Sequence, residues 1–155
     1  MVISGPRRSL PNEDGNRPDR ARSVEGITMG QPVVHFEIIG PDPARLISYY
    51  SGLFGWEFAI GDAATETVSK RGSYGFVDAS TNGDGTGING GVGGGDGHLP
   101  RVLFYVSVPD VEAALKKAES LGGRRRMGPE GTPGTLVVGQ FTDPQGNLIG
   151  VAGPQ

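Results

Sequence analysis

The chain has 155 residues, 14 Lys and Arg against 17 Asp and Glu for a net charge of -3, and no cysteine. That length supports one domain, or two small halves sharing a core, while the missing thiols exclude disulfide and thiolate chemistry and fit a reducing compartment. The slight acidity leaves no basic surface for nucleic acid. No apolar run approaches the ~18 residues of a membrane span or the form of a signal peptide, so a soluble, cytoplasmic protein is expected.

Residues 1–30 carry Pro6, Pro11 and Pro18, five arginines against four acidic residues, and no apolar periodicity. They read as a disordered tail with nearly cancelling charges. Met29 sits at the composition break and is a candidate start.

From Val34 onward the chain repeats itself. Shifting Val34–Gly55 by 68 positions onto Val102–Gly123 makes Val34/Val102, Phe36/Phe104, Pro41/Pro109, Asp42/Asp110, Leu53/Leu121 and Gly55/Gly123 identical. Such self-similarity marks a duplicated supersecondary unit. In each copy a β-rich run, "VVHFEII" or "VLFYVSV", ends at Pro-Asp. The Asp can cap a helix, and Pro43 suits its first position. Leu46, Ile47, Tyr50, Leu53 and Phe54 in one copy, and Ala114, Leu115, Ala118 and Leu121 in the other, form apolar stripes at helical spacing. Gly55 and Gly122 stand where a left-handed stop favours glycine.

Three short strands are predicted after each helix: about 56–60, 73–79 and 86–92, then 124–127, 135–141 and 147–152. The unit is therefore βαβββ, twice, an α+β arrangement. It divides the chain into the tail, a first module at about 32–92, a glycine-rich linker at about 93–99 and a second module at about 100–153, all within a domain of residues 31–155.

With "HFEIIGPDPARLISYYSGLFGWEF" in the first module, and "FYVSVPDVEAALKKAESLGG" and "FTDPQGNLIGVAG" in the second, the chain resembles the vicinal oxygen chelate superfamily. That group contains glyoxalase I, extradiol dioxygenases and the bleomycin and fosfomycin resistance proteins. The resemblance implies curved mixed sheets that enclose a cavity on their concave side, with helices on the convex side, and a homodimeric state. Residues alternate faces along a strand. With His35 concave, Glu37 and Ile39 share its face, while Val34, Phe36 and Ile38 lie under the first helix. The same register turns Leu103, Tyr105 and Ser107 inward and Val102, Phe104, Val106 and Val108 toward the second helix.

Metal-dependent members place a His, Glu or Gln on the first and last strand of each module. His35 fits the first position; Leu103, Gly150 and Asn89 stand at or near the others. A catalytic metal needs about three good protein ligands and an open position, so no metal or other cofactor is expected, and neither is glyoxalase-I or extradiol-dioxygenase chemistry. His98, in a Gly-Pro loop, is a poor replacement ligand.

His35 then reads as a polar residue of a ligand pocket or as a structural histidine satisfied by backbone, and Glu37 as a pocket residue or as a carboxylate facing a wet cavity or the opposite module. A carboxylate in an otherwise apolar strand is costly to bury without a partner. Trp56 and Phe58, with Tyr74 and Phe76, alternate on presumed strands and read first as core packing, with one pair facing the cavity where it can stack on a flat ligand. Trp56, Phe76, Asn89, Leu103, Tyr105, Gln140 and Gly150 are the candidate ligand-binding residues. The glycine run "TNGDGTGINGGVGGGDGHLP" lacks the Lys-Ser/Thr and following helix of a phosphate loop; close approach to a ligand and a pliable linker are the expectation. Arg124–Arg126 read as a charged sheet edge. The function expected is metal-free sequestration of a small organic molecule; the alternative is a metal-independent lyase, isomerase or cyclase using His35 and Glu37 for proton transfer.

Overall fold

The computed structural model describes residues 29–155, and Gln31–Gln155 form one unit. Residues 1–28, on which the expectation of a tail rests, lie outside the described residues. The order is β1 (Val33–Gly40), α1 (Pro43–Phe54), β2 (Phe58–Gly61), β3 (Tyr74–Val77), β4 (Asn89–Gly94), β5 (Arg101–Ser107), α2 (Val111–Ser120), β6 (Arg124–Thr132), β7 (Leu136–Thr142) and β8 (Leu148–Gly153). The unit is βαβββ in both halves. No described helix is long and apolar enough to cross a membrane.

Both helices start where the Pro-Asp pairs stand. Asp42 and Asp110 accept the backbone N–H groups of Arg45 and Ala113 at 3.1 and 3.0 Å, each satisfying an otherwise orphaned donor of the first turn. Gly55 stops α1 at φ 70°, where a Cβ would cost energy.

The strands form a single eight-stranded sheet in the order β2-β3-β4-β1-β5-β8-β7-β6. Each half supplies four adjacent strands, with β1 parallel to β4 and β5 parallel to β8. An antiparallel β1–β5 seam joins the halves within one chain, setting His35 opposite Tyr105 and Glu37 opposite Leu103.

Alternation along β7 separates two cores. Val137 packs with Val151 beneath Val111 and Leu115 of α2, while Val138 joins Ile39, Tyr74, Leu103 and Tyr105 on the opposite face. Burying a side chain such as Leu115 contributes about 1.5–3 kcal/mol.

Three expectations change. α1 lies over β4 and β1, and α2 over β6, β7 and β8; between them, Val102 on β5 is 71% exposed and Phe104 is also exposed, not covered by a helix. Leu53 and Leu121, equivalent in the repeat, end their helices and are exposed rather than part of a buried stripe. Gly93 and Gly94, assigned to the linker, continue β4 opposite Ile39 and Gly40. Arg124–Arg126 do fall on β6 at the sheet edge, but Arg125 turns to α2 and holds Glu112 with two hydrogen bonds of 2.7 and 3.0 Å.

Candidate functional site

Glu37 is 2% exposed in a strand of apolar neighbours, so its carboxylate must find donors inside the protein. It finds one on each oxygen. Tyr74 of β3 donates its hydroxyl to Oε1 at 2.9 Å, and Tyr105 of β5 donates to Oε2 at 2.8 Å. Gln140 of β7 donates Nε2–H to the Tyr105 hydroxyl at 2.9 Å, and His35 Nε2 lies 2.8 Å from the Tyr74 hydroxyl. Five side chains from four strands thus form one chain: His35, Tyr74, Glu37, Tyr105, Gln140.

Glycine makes this chain possible. Tyr74 reaches Glu37 from two strands away because its ring lies across Gly91 of the intervening β4, where a Cβ would overlap it. Tyr105 lies across Gly150 in the same manner. The glycines of β4 therefore admit the protein's own rings, Phe36 over Gly90 on one face and Tyr74 over Gly91 on the other, rather than a ligand.

Burial sets the protonation of the network. It pushes the Glu37 carboxyl up from its ordinary 4.5, against the opposing pull of Tyr105, Tyr74 and the charge of Arg101. It pushes the His35 imidazole down from 6.5. Both phenols are pushed well above the ordinary tyrosine range, first by burial and then by the neighbouring Glu37 charge. The tyrosines remain protonated donors.

A cavity of about 430 Å³ opens on this network, a size suited to a small organic ligand. The first half contributes His35, Tyr74 and Phe76, and the second Tyr105, Leu136 and Val138. Ala63, Ala64 and Val68, from the long β2–β3 connection, also line it. Thr65 and Thr67 tie that connection to β6 of the other half, both donating to Glu130 Oε1 at 3.2 and 2.7 Å.

Of the residues singled out from the sequence, His35, Glu37, Phe76, Asn89 and Tyr105 line this cavity. Leu103, Gln140 and Gly150 lie behind the wall: Leu103 in the core beside Glu37, Gln140 bonded to Tyr105, and Gly150 beneath the Tyr105 ring. Trp56 is a correction. It precedes β2 rather than belonging to it, and packs with Phe36, Tyr50, Phe54 and Phe58 on the α1 side. Val34, assigned to the helix side, lines the cavity instead, because the β1–β5 register shifts between Val33 and His35. Tyr74 is not among the candidate ligand-binding residues read from the sequence. Its alternation with Phe76 signals the face, but its reach across Gly91 has no sequence signature.

The positions that hold a metal in relatives do not suit one here. They bear an imidazole, an amide, a leucine and a glycine; the Tyr105 ring fills the space over Gly150, and Asn89 Oδ1 already accepts the Ala79 N–H at 2.9 Å. Both Glu37 oxygens are engaged by phenols. Among the described residues, no three of His, Cys, Asp or Glu cluster to hold an ion.

Comparison with known proteins agrees on the architecture. A variant of methylmalonyl-CoA epimerase from Streptomyces coelicolor in complex with 2-nitronate-propionyl-CoA superimposes with a TM-score of 0.55 at 14% identity, covering 79% of this chain and 96% of that one. Methylmalonyl-CoA epimerase from Mycobacterium tuberculosis gives 0.52 at 15% identity, covering 79% and 87%. At such identities the likeness is one of fold. No curated protein matches the sequence. The Glyoxalase/Bleomycin resistance protein/Dioxygenase superfamily model matches residues 33–151, and with its duplicated βαβββ sheet around one cavity the chain belongs to that superfamily.

Proposed function

We propose that the chain binds a small, uncharged or cationic, partly aromatic organic molecule in the cavity between its halves, without a metal ion. The composition of the wall carries this reading. Among the described residues it presents the rings of His35, Tyr74, Phe76 and Tyr105 beside aliphatic groups, and its charged members are the acids Glu37 and Asp62, with no Lys or Arg. Aromatic walls favour a flat ligand through stacking. An anionic ligand would meet two acids and no fixed counter-charge.

The 2-nitronate-propionyl-CoA in the epimerase structure carries the phosphates of coenzyme A, and a wall without a cation has nothing to pair them.

A thermal-shift and calorimetry panel of aromatic compounds matched in shape but neutral, cationic or anionic tests the proposal. Neutral and cationic members should bind equally well with and without a chelator, and Phe76→Ala should weaken them several-fold. Preference for the anions, or binding abolished by the chelator, would contradict it.

A further inference from the structure

The hydrogen-bonded chain does more than satisfy a buried carboxylate. Tyr74 has one hydroxyl proton, and it gives that proton to Glu37 Oε1 at 2.9 Å. With Glu37 ionised, the 2.8 Å contact between the same hydroxyl and His35 Nε2 makes the imidazole the donor. This fixes the Nε2–H tautomer and leaves Nδ1 as an acceptor on a ring that lines the cavity. Among the described residues, no hydrogen bond engages Nδ1, and it is not one of the buried atoms left without a partner.

We propose that His35, Tyr74 and Glu37 form a proton relay, which takes a proton from a neutral, planar ligand at His35 Nδ1 and stores it on Glu37. The relay rests on the cavity being the ligand site proposed above. As the ligand's C–H, N–H or O–H bond breaks, Nδ1–H forms; Nε2–H passes to the Tyr74 oxygen, and the Tyr74 proton passes to Glu37 Oε1. The negative charge moves from Glu37 to the ligand, where the new Nδ1–H faces it, and the net charge of the site does not change. No oxidant or co-reactant is needed.

The class of molecule follows from the surroundings. Its conjugate base must be delocalised, because no cationic side chain lies on the wall among the described residues. A heteroaromatic ring, or a conjugated carbonyl compound with an acidic hydrogen, meets that need.

The groups facing the relay are Tyr105 and Arg101 from β5, Tyr74 from β3 and, across the cavity, Asp62 from the β2–β3 connection. Tyr105 holds the second Glu37 oxygen at 2.8 Å, so the proton arriving through Tyr74 has only Oε1 to occupy. Burial of Glu37 and His35 favours the relay's neutral pair over a separated imidazolium and carboxylate.

Two readouts test this, one of them without any ligand. In ¹⁵N NMR of the folded protein, His35 should be the Nε2–H tautomer at high pH. On acidification it should change to the Nδ1–H tautomer, without both nitrogens becoming protonated, as Glu37 takes the proton. Tyr74→Phe and Glu37→Gln should each abolish this exchange while remaining folded by circular dichroism. A histidine held only for structure would either not respond or titrate to imidazolium, and that result would overturn the relay.

The second readout uses 5-nitrobenzisoxazole, a neutral flat molecule whose C–H is removed by a base as its N–O bond opens. Its kcat should fall ~100-fold in His35→Ala, the scale of a lost general base, and ~10-fold or more in Tyr74→Phe. Equal kcat in Tyr74→Phe and wild type would also overturn it. If the tautomer exchange occurs but no neutral or cationic compound binds, the ligand site is wrong and the proton chain stands. Binding without the exchange removes the relay alone.

Discussion

Glu37 and Tyr105 occupy the same place in the two copies of the repeat, 68 positions apart, and their side chains meet across the β1–β5 seam at 2.8 Å. The first copy supplies the charge and the second the hydroxyl that satisfies it. Two positions further back, His35 reaches the cavity whereas its counterpart Leu103 is buried in the core. Duplication produces the same backbone twice, and divergence on the inward face has given the first half the ionisable groups and the second half much of their support.

The outward faces differ in the opposite sense. α2 buries Val111 and Leu115 at 0% exposure between itself and the sheet, whereas α1 has no buried residue and leaves Tyr49, Leu53 and Phe54 exposed. The half that carries His35 and Glu37 has the looser helix packing.

Substitutions at matched positions can break or sharpen that contrast. Leu115→Ala should cost about 2–5 kcal/mol in denaturant unfolding, because it leaves a cavity beneath α2. Gly91→Ala should cost about 1–3 kcal/mol by forcing the Tyr74 ring off its seat. It should also uncouple His35 from Glu37, visible as loss of the His35 tautomer preference. Leu53→Ala, on the exposed end of α1, should change stability by no more than about 0.5 kcal/mol. A cost equal to that of Leu115 would show that the first helix is covered in solution.

Stability against pH separates the two ionisable groups. The raised Glu37 pKa means that its contribution is complete below 4.5 and is lost as pH rises through the folded-state value. The lowered His35 pKa means that its contribution is complete above 6.5 and is lost as pH falls. Relative to wild type, Glu37→Gln should therefore gain stability as pH rises above 4.5, and His35→Gln should gain as pH falls below 6.5, measured as Tm across the range.

Much of this was legible in the residues. The repeat, the Asp42 and Asp110 caps and the order of strands follow from patterns that local physics enforces, and the inward register of His35, Glu37 and Tyr105 follows from simple alternation. The misplaced residues lie where alternation has no hold. Trp56 sits before β2 begins, Val34 beside a register shift, and Gly93 and Gly94 in a strand whose glycines show no faces. The network itself was hidden because it depends on side chains that are absent: only a folded backbone reveals that Gly91 and Gly150 are the seats of two tyrosine rings.

The Tyr74 and Tyr105 phenols engage both oxygens of Glu37 and hold the inward face of this sheet together, which leaves no place there for an ion. Measuring bound metal after equilibrating the purified chain with Zn²⁺, Ni²⁺ or Fe²⁺ tests it most directly. Metal content far below one ion per chain, with the His35 resonances unchanged, is the expected result. One ion per chain, lost in His35→Ala, would contradict it.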